Sequence, residues 1–148
     1  MNFLKFALFC LIIIISGSID AQKVAIKEDP LEYFKSGKEL YRKGIYAAAQ
    51  DELNLFLSIQ NVAQQPAYSE QIMESEFLYA TSAMRLEQGN AEKLLISFVR
   101  EYHPHPFASK AMIEIADYYF NERNYDQAIQ YYQEIDLYGL SPEQRDEV

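Results

Sequence analysis

Residues 109–136 read SKAMIEIADYYFNERNYDQAIQYYQEID, and the interpretation of this stretch decides the fold. Two helical patterns flank the polar turn NERNY. The first carries Met112, Ile115, Ala116 and Tyr119 at helical spacing, and the second carries Ala128 and Tyr132. Five tyrosines lie here, four of them as the adjacent pairs Tyr118–Tyr119 and Tyr131–Tyr132. Neighbours on a helix point about 100° apart, so one of each pair faces inward and the other the rim. Tyrosine joins a large ring to a polar tip, and these four read as core and interface aromatics rather than catalysts.

The same residue classes return upstream. Leu78 stands 34 residues before Met112, Leu94 before Ala128, and Phe98 before Tyr132. Ala49 precedes Leu94 by 45, that is 34 with an insertion of 11, which the linker QNVAQQPAY (60–68) accommodates. Helices are expected over residues 30–43, 46–59, 69–87, 91–102, 106–122 and 125–138. Asp29 caps the first, with Pro30 at its first position and Glu32 three residues after the cap. Gly44 breaks that helix, and Gly89-Asn90 ends the third. HPHP (103–106) is a turn, because each proline biases its predecessor away from helix. No stretch alternates apolar and polar residues for long, so no strand is expected.

On these residues the chain resembles the tetratricopeptide repeat family, a 34-residue helix–turn–helix unit. Met112, Ile115, Ala116, Tyr119, Ala128 and Tyr132 match its pattern in the third unit. Tyr33, Ser36, Gly37, Leu40, Ala49 and Leu53 match it in the first. The middle unit departs: Leu78, Thr81 and Ser82 fit, but Arg85 replaces an aromatic and Leu94 an alanine, with Phe98 restoring the pattern. The resemblance covers residues 30–140, divided as 30–63, 75–108 and 109–140. It implies an all-α fold of antiparallel helix pairs stacked as an α-solenoid. A plain helical bundle with coincidental spacing is the alternative. Small residues such as Gly37, Ala49, Ala116 and Ala128 would let helices approach closely. Tyr119 and Tyr132 would fill the wedges between them.

The resemblance also implies a groove lined by the first helix of each unit. The first unit would supply Phe34, Lys35, Lys38, Tyr41 and Arg42, the second Tyr79, Ala83 and Leu86, and the third Lys110, Ile113, Asp117 and Phe120. A basic, aromatic start suggests a peptide with acidic and apolar side chains, although the charges could equally serve to solvate a helix face. Some family members grip a C-terminal carboxylate there. Ala80 and Glu114 stand where that mode needs an asparagine and a basic residue, so it is not expected here.

The address is read from the N-terminus. MNFLKFALFCLIIIISGSIDA (1–21) has Lys5, a ten-residue apolar run from Phe6 to Ile15, then small and polar residues. This is a signal peptide pattern with a cut after Ala21. The run is too short to span a bilayer, which takes about 20 residues. An uncleaved anchor or a lipid on Cys10 is the alternative. After cleavage no cysteine remains, which removes disulfides and cysteine–zinc sites. Residues 22–29 form a polar leader. YHPHPFASKA resembles linkers of exported repeat proteins that read Tyr-Pro-x-Ser-Pro-x-Ala, and the DAQ junction resembles exported proteins of Bacteroidota. SPEQRDEV (141–148) carries a capping box at Ser141, Pro142 and Gln144 and reads as the start of a further helix. The chain is therefore expected to be the N-terminal part of a longer repeat protein.

Net charge is −9 in 148 residues, poorly suited to nucleic acid backbones or anionic membrane surfaces. No phosphate loop, nucleophile elbow or metalloprotease motif is present. His103 and His105 lie two apart and fall short of the three or four ligands a metal needs, so no metal or cofactor is expected. The expected function is a non-enzymatic scaffold of the bacterial envelope. It would be exported to the periplasm or the periplasmic face of the outer membrane and bind a protein or peptide partner. The alternative is a repeat module of a longer enzyme or secretion component whose active part lies beyond residue 148.

Overall fold

The computed structural model describes residues 29–59, 62 and 65–135. The expected signal peptide, leader and C-terminal helix start lie outside them. The described residues form six α-helices and one 3-10 turn, with no strand among them. The helices are α1 (Pro30–Arg42), α2 (Tyr46–Ser58), α3 (Ser69–Arg85), α4 (Ala91–Tyr102), α5 (Pro106–Asn121) and α6 (Tyr125–Gln133). The 3-10 turn, Pro66–Tyr68, precedes α3. Asp29 caps α1 as expected, accepting from the Leu31 N–H at 2.9 Å. His105 caps α5, its Nδ1 accepting from the Phe107 N–H at 3.2 Å.

Each helix packs on its neighbours in the chain, and the pairs α1–α2, α3–α4 and α5–α6 each close with the same turn. Gly44, Glu87 and Arg123 are left-handed, with φ of 74°, 53° and 61°. The next residue's N–H reaches five residues back in every case: Ile45 to Leu40 (3.0 Å), Gln88 to Ala83 (3.0 Å) and Asn124 to Tyr119 (2.8 Å). This is a Schellman closure, which satisfies carbonyls at the helix end. The expected stop at Gly89 is corrected, since Glu87 takes the left-handed position. Glycine adopts that conformation without the strain other L-residues incur. Glu87→Gly and Arg123→Gly should therefore each stabilise the fold by about 0.5–1 kcal/mol. Urea midpoints test this, and a lowered midpoint in both variants would refute it.

Counting from these turns aligns the pairs. Seven residues before each left-handed residue stand Gly37, Ala80 and Ala116, all buried. In the second helices the buried alanines are Ala49, Ala91 and Ala128. The sequence match of Leu94 to Ala128 is thus out by three residues, one helical turn. Ala91 and Ala128 are 37 apart, and Glu87 and Arg123 are 36 apart, rather than 34. The cause is local. Ala91 donates three residues back, to the Gln88 carbonyl at 2.9 Å. Ala49 and Ala128 donate four back, to Ile45 and Asn124. The first turn of α4 is therefore tighter.

The core runs through all three pairs. Leu53, Phe56, Leu95 and Ile115 are fully buried in one cluster. Phe34 meets Phe56 at 5.7 Å, and Phe77 meets Phe98 at 5.8 Å, the same contact in successive pairs. Helix α6 was expected to reach residue 138, but it ends at Gln133. Its last turn tightens, with the Ile135 N–H reaching the Tyr132 carbonyl at 3.4 Å, and Ile135 tucks against Met112.

Candidate functional site

The first helices of the pairs lie side by side, α1 against α3 and α3 against α5. Lys38 of α1 meets Glu74 of α3 at 2.7 Å. Farther along both helices, three residues on in α1 and seven on in α3, Tyr41 lies beside Thr81. These contacts advance together along both helices, so α1 and α3 run in the same direction. Between α3 and α5, Arg85 meets Glu114 at 2.7 Å. The result is one continuous face crossed by two interhelical ion pairs.

This arrangement corrects several expected groove residues. Phe34 is buried, packed on Phe56 and covered by the Lys38 ammonium 5.5 Å from its ring. Ala83 is fully buried in the core. Tyr79 is half-buried, lines a cavity of about 200 Å³ between α3 and α4, and its carbonyl accepts from the Gln50 amide at 3.2 Å. Leu86 lies just past the end of α3, partly exposed. The reason is packing: Ala80 to Met84 are buried in succession, because α3 is flanked by α1 and α5 as well as by α2 and α4.

The remaining expected residues fall into two groups. Lys35 and Arg42 are exposed on α1, Arg42 meeting Glu39 at 3.0 Å. Tyr41 is half-buried, and desolvation raises its phenol above the ordinary value. On α5, Lys110 and Ile113 are half-buried, with Lys110 5.0 Å from the Phe107 ring. Asp117 is exposed and accepts from the Tyr132 hydroxyl. Phe120 is exposed, edge-on to Tyr125.

Of the four residues that pair across the helices on this face, Lys38 is among the expected lining, while Glu74, Arg85 and Glu114 are not. Placing Ala80 as the small residue of α3 would have brought out Glu74 and Arg85. A cavity of about 240 Å³ opens here, lined by Arg85, Glu87, Glu114, Asp117, Tyr118 and Glu122 among others. Burial pushes the Glu114 carboxyl above its usual range and Asp117 adds to this, while Arg85 opposes it. Desolvation would lower Arg85, but Glu114 outweighs it and the guanidinium stays charged. The first-helix face is therefore cationic at its α1 end and anionic at its α5 end.

The four paired tyrosines are all half-buried, so the expected division into core and rim does not hold. Tyr119 stacks on Tyr131 at 5.8 Å and donates to Glu92. Tyr132 is pushed up to about 12 by burial and by Asp117. The Tyr119 and Tyr132 hydroxyls remain protonated donors near neutrality. His103 and His105 are exposed, and His105 serves as the cap of α5. Among the described residues no group of three or more metal-ligating side chains converges. No helix among them is long and apolar enough to cross a membrane.

Comparison with protein-family models, with curated proteins and with solved structures found no match for this chain. The fold and face define a class: an all-helical protein of three neighbour-packed helix pairs.

Proposed function

We propose that the chain is a tetratricopeptide-type α-solenoid acting as a non-enzymatic binding scaffold, exported to the bacterial envelope. It engages a protein or peptide partner along the face of α1, α3 and α5. The observation that carries this reading is the row of same-direction first helices joined by Lys38–Glu74 and Arg85–Glu114. Such pairs fix the spacing of the helices and leave other side chains for a partner. The signal peptide pattern of residues 1–21 supports the envelope address.

The polarity of the face revises the partner expected from sequence. Lys35 and Arg42 stand at one end, Asp117 and Glu122 at the other. The partner segment carries acidic groups over α1 and basic groups over α5. Opposed charges of this kind set orientation and association rate more than affinity. The test is capture from the envelope fraction, followed by the reversals Lys35→Glu with Arg42→Glu, and Asp117→Lys with Glu122→Lys. Each reversed end should weaken capture at least about tenfold, more so at low salt. Undiminished capture by both variants would remove this face from the function.

A further inference from the structure

Three of the six large apolar side chains exposed among the described residues form one strip on the last pair. Phe120, Tyr125 and Ile129 are 55%, 52% and 53% exposed. Phe120 meets Tyr125 at 5.5 Å, and Ile129 stands one turn beyond Tyr125 on α6. The counterparts of this strip in the other two pairs are engaged. Counted from the left-handed turn residues, Phe120 corresponds to Tyr41 and Met84. Counted from the buried alanines, Ile129 corresponds to Gln50 and Glu92. Met84 and Gln50 are each 8% exposed.

The covering element is the same both times: the first helix of the next pair. Tyr41 lies beside Thr81, and the Gln50 amide donates to the Tyr79 carbonyl, both on α3. Glu92 accepts from Tyr119 on α5. No described helix covers the strip on α5 and α6. Asp117, Glu122 and Asp126 flank it, all exposed. At the other end of the row, α1 carries no such strip, and Glu32, Glu39 and Lys43 are exposed around Ser36 and Leu40. A head-to-tail second copy would set that polar surface on an apolar one.

We propose that the Phe120–Tyr125–Ile129 strip seats one further amphipathic helix, supplied by a partner polypeptide and running in the direction of α5. Its inner face follows that of α3, which meets the first pair through Glu74, Thr81 and the Tyr79 carbonyl. Its flanks are basic, opposite Asp117, Glu122 and Asp126.

The probe is a fluorescent peptide with the sequence of residues 69–86 carrying Glu70→Lys and Glu74→Lys, read by anisotropy against the full chain. Binding is expected, and Ile129→Asp or Phe120→Lys should weaken it at least about tenfold, because each places a charge within the contact. Both sites are exposed, so the variants keep the helical circular dichroism of the wild type. The parent peptide without lysines should bind more weakly. No binding, or binding indifferent to both substitutions, overturns the proposal. A dimer in sedimentation that Ile129→Asp abolishes also overturns it, assigning the strip to a second copy. This inference does not depend on the α1 end of the first-helix face, and Lys35→Glu should leave the peptide affinity unchanged.

Discussion

Gly37→Ala is expected to destabilise the protein by about 2 kcal/mol, although alanine is the better helix former by about 1 kcal/mol. A Cβ at Gly37 would stand 2.7 Å from Leu53 Cγ and 2.8 Å from its Cδ2, with the Leu53 backbone N at 3.2 Å. Leu53 is fully buried and has little room to withdraw. Overpacking of this kind costs typically about 1–3 kcal/mol, and the contact lies at the severe end. Leu53→Ala alone should cost about 2–5 kcal/mol through lost burial and a cavity. In that background the cost of Gly37→Ala should fall to within about 1 kcal/mol of zero, because the colliding Cγ and Cδ2 are gone and only the backbone N at position 53, 3.2 Å away, remains close. Urea titrations of the four proteins measure this cycle. An equal cost in both backgrounds would show that the Gly37–Leu53 approach does not set the α1–α2 spacing.

That contact also shows what could be read from the residues. The Asp29 cap, the break at Gly44, and the small residues Gly37, Ala49, Ala116 and Ala128 act locally or at helix crossings, so the sequence exposes them. The middle pair was harder for a physical reason. Its left-handed residue is a glutamate, which carries no turn signature, while Gly89 nearby carries one that the backbone does not use. Leu94 and Ala91 are one turn apart on the same side of α4, so a match by residue class accepts either. An error of one turn in α4 leaves the core intact. In α3 the slip of two residues matters less than the packing: the positions that the turn alignment substitutes, Phe77, Thr81 and Met84, are buried too, because α1 and α5 both cover this helix. Phe34 failed differently: its register was right, but Phe56 and Lys38 cover it, and no local pattern reports a contact across helices.

Arg85→Met should separate an ion pair that matters from one that merely decorates the surface. Glu114 keeps 18% of its side-chain exposure and has Asp117 as a like-charged neighbour. Removing Arg85 leaves that carboxylate desolvated and uncompensated. A fully buried pair would lose about 3–5 kcal/mol, but Arg85 is 46% exposed, so a loss of about 1–2 kcal/mol is expected at pH 7. The pH dependence fixes the cause. Glu114 is raised in the folded state, so its ionisation weakens the fold as pH climbs past the unfolded carboxyl value toward the folded one. Without Arg85 the folded value rises further, and the penalty at neutrality grows. Below the unfolded value Glu114 is protonated in both proteins, and the gap between them should close to the small packing difference between Arg and Met. Glu114→Gln added to Arg85→Met should recover most of the loss at pH 7 and change little in acid. Urea unfolding at pH 4 and pH 7.5 decides the matter. A gap of equal size at both values would mean that Arg85 contributes through its aliphatic stem. The join between α3 and α5 would then be a packing contact, and the anionic end of the face would owe nothing to the Glu114 carboxylate.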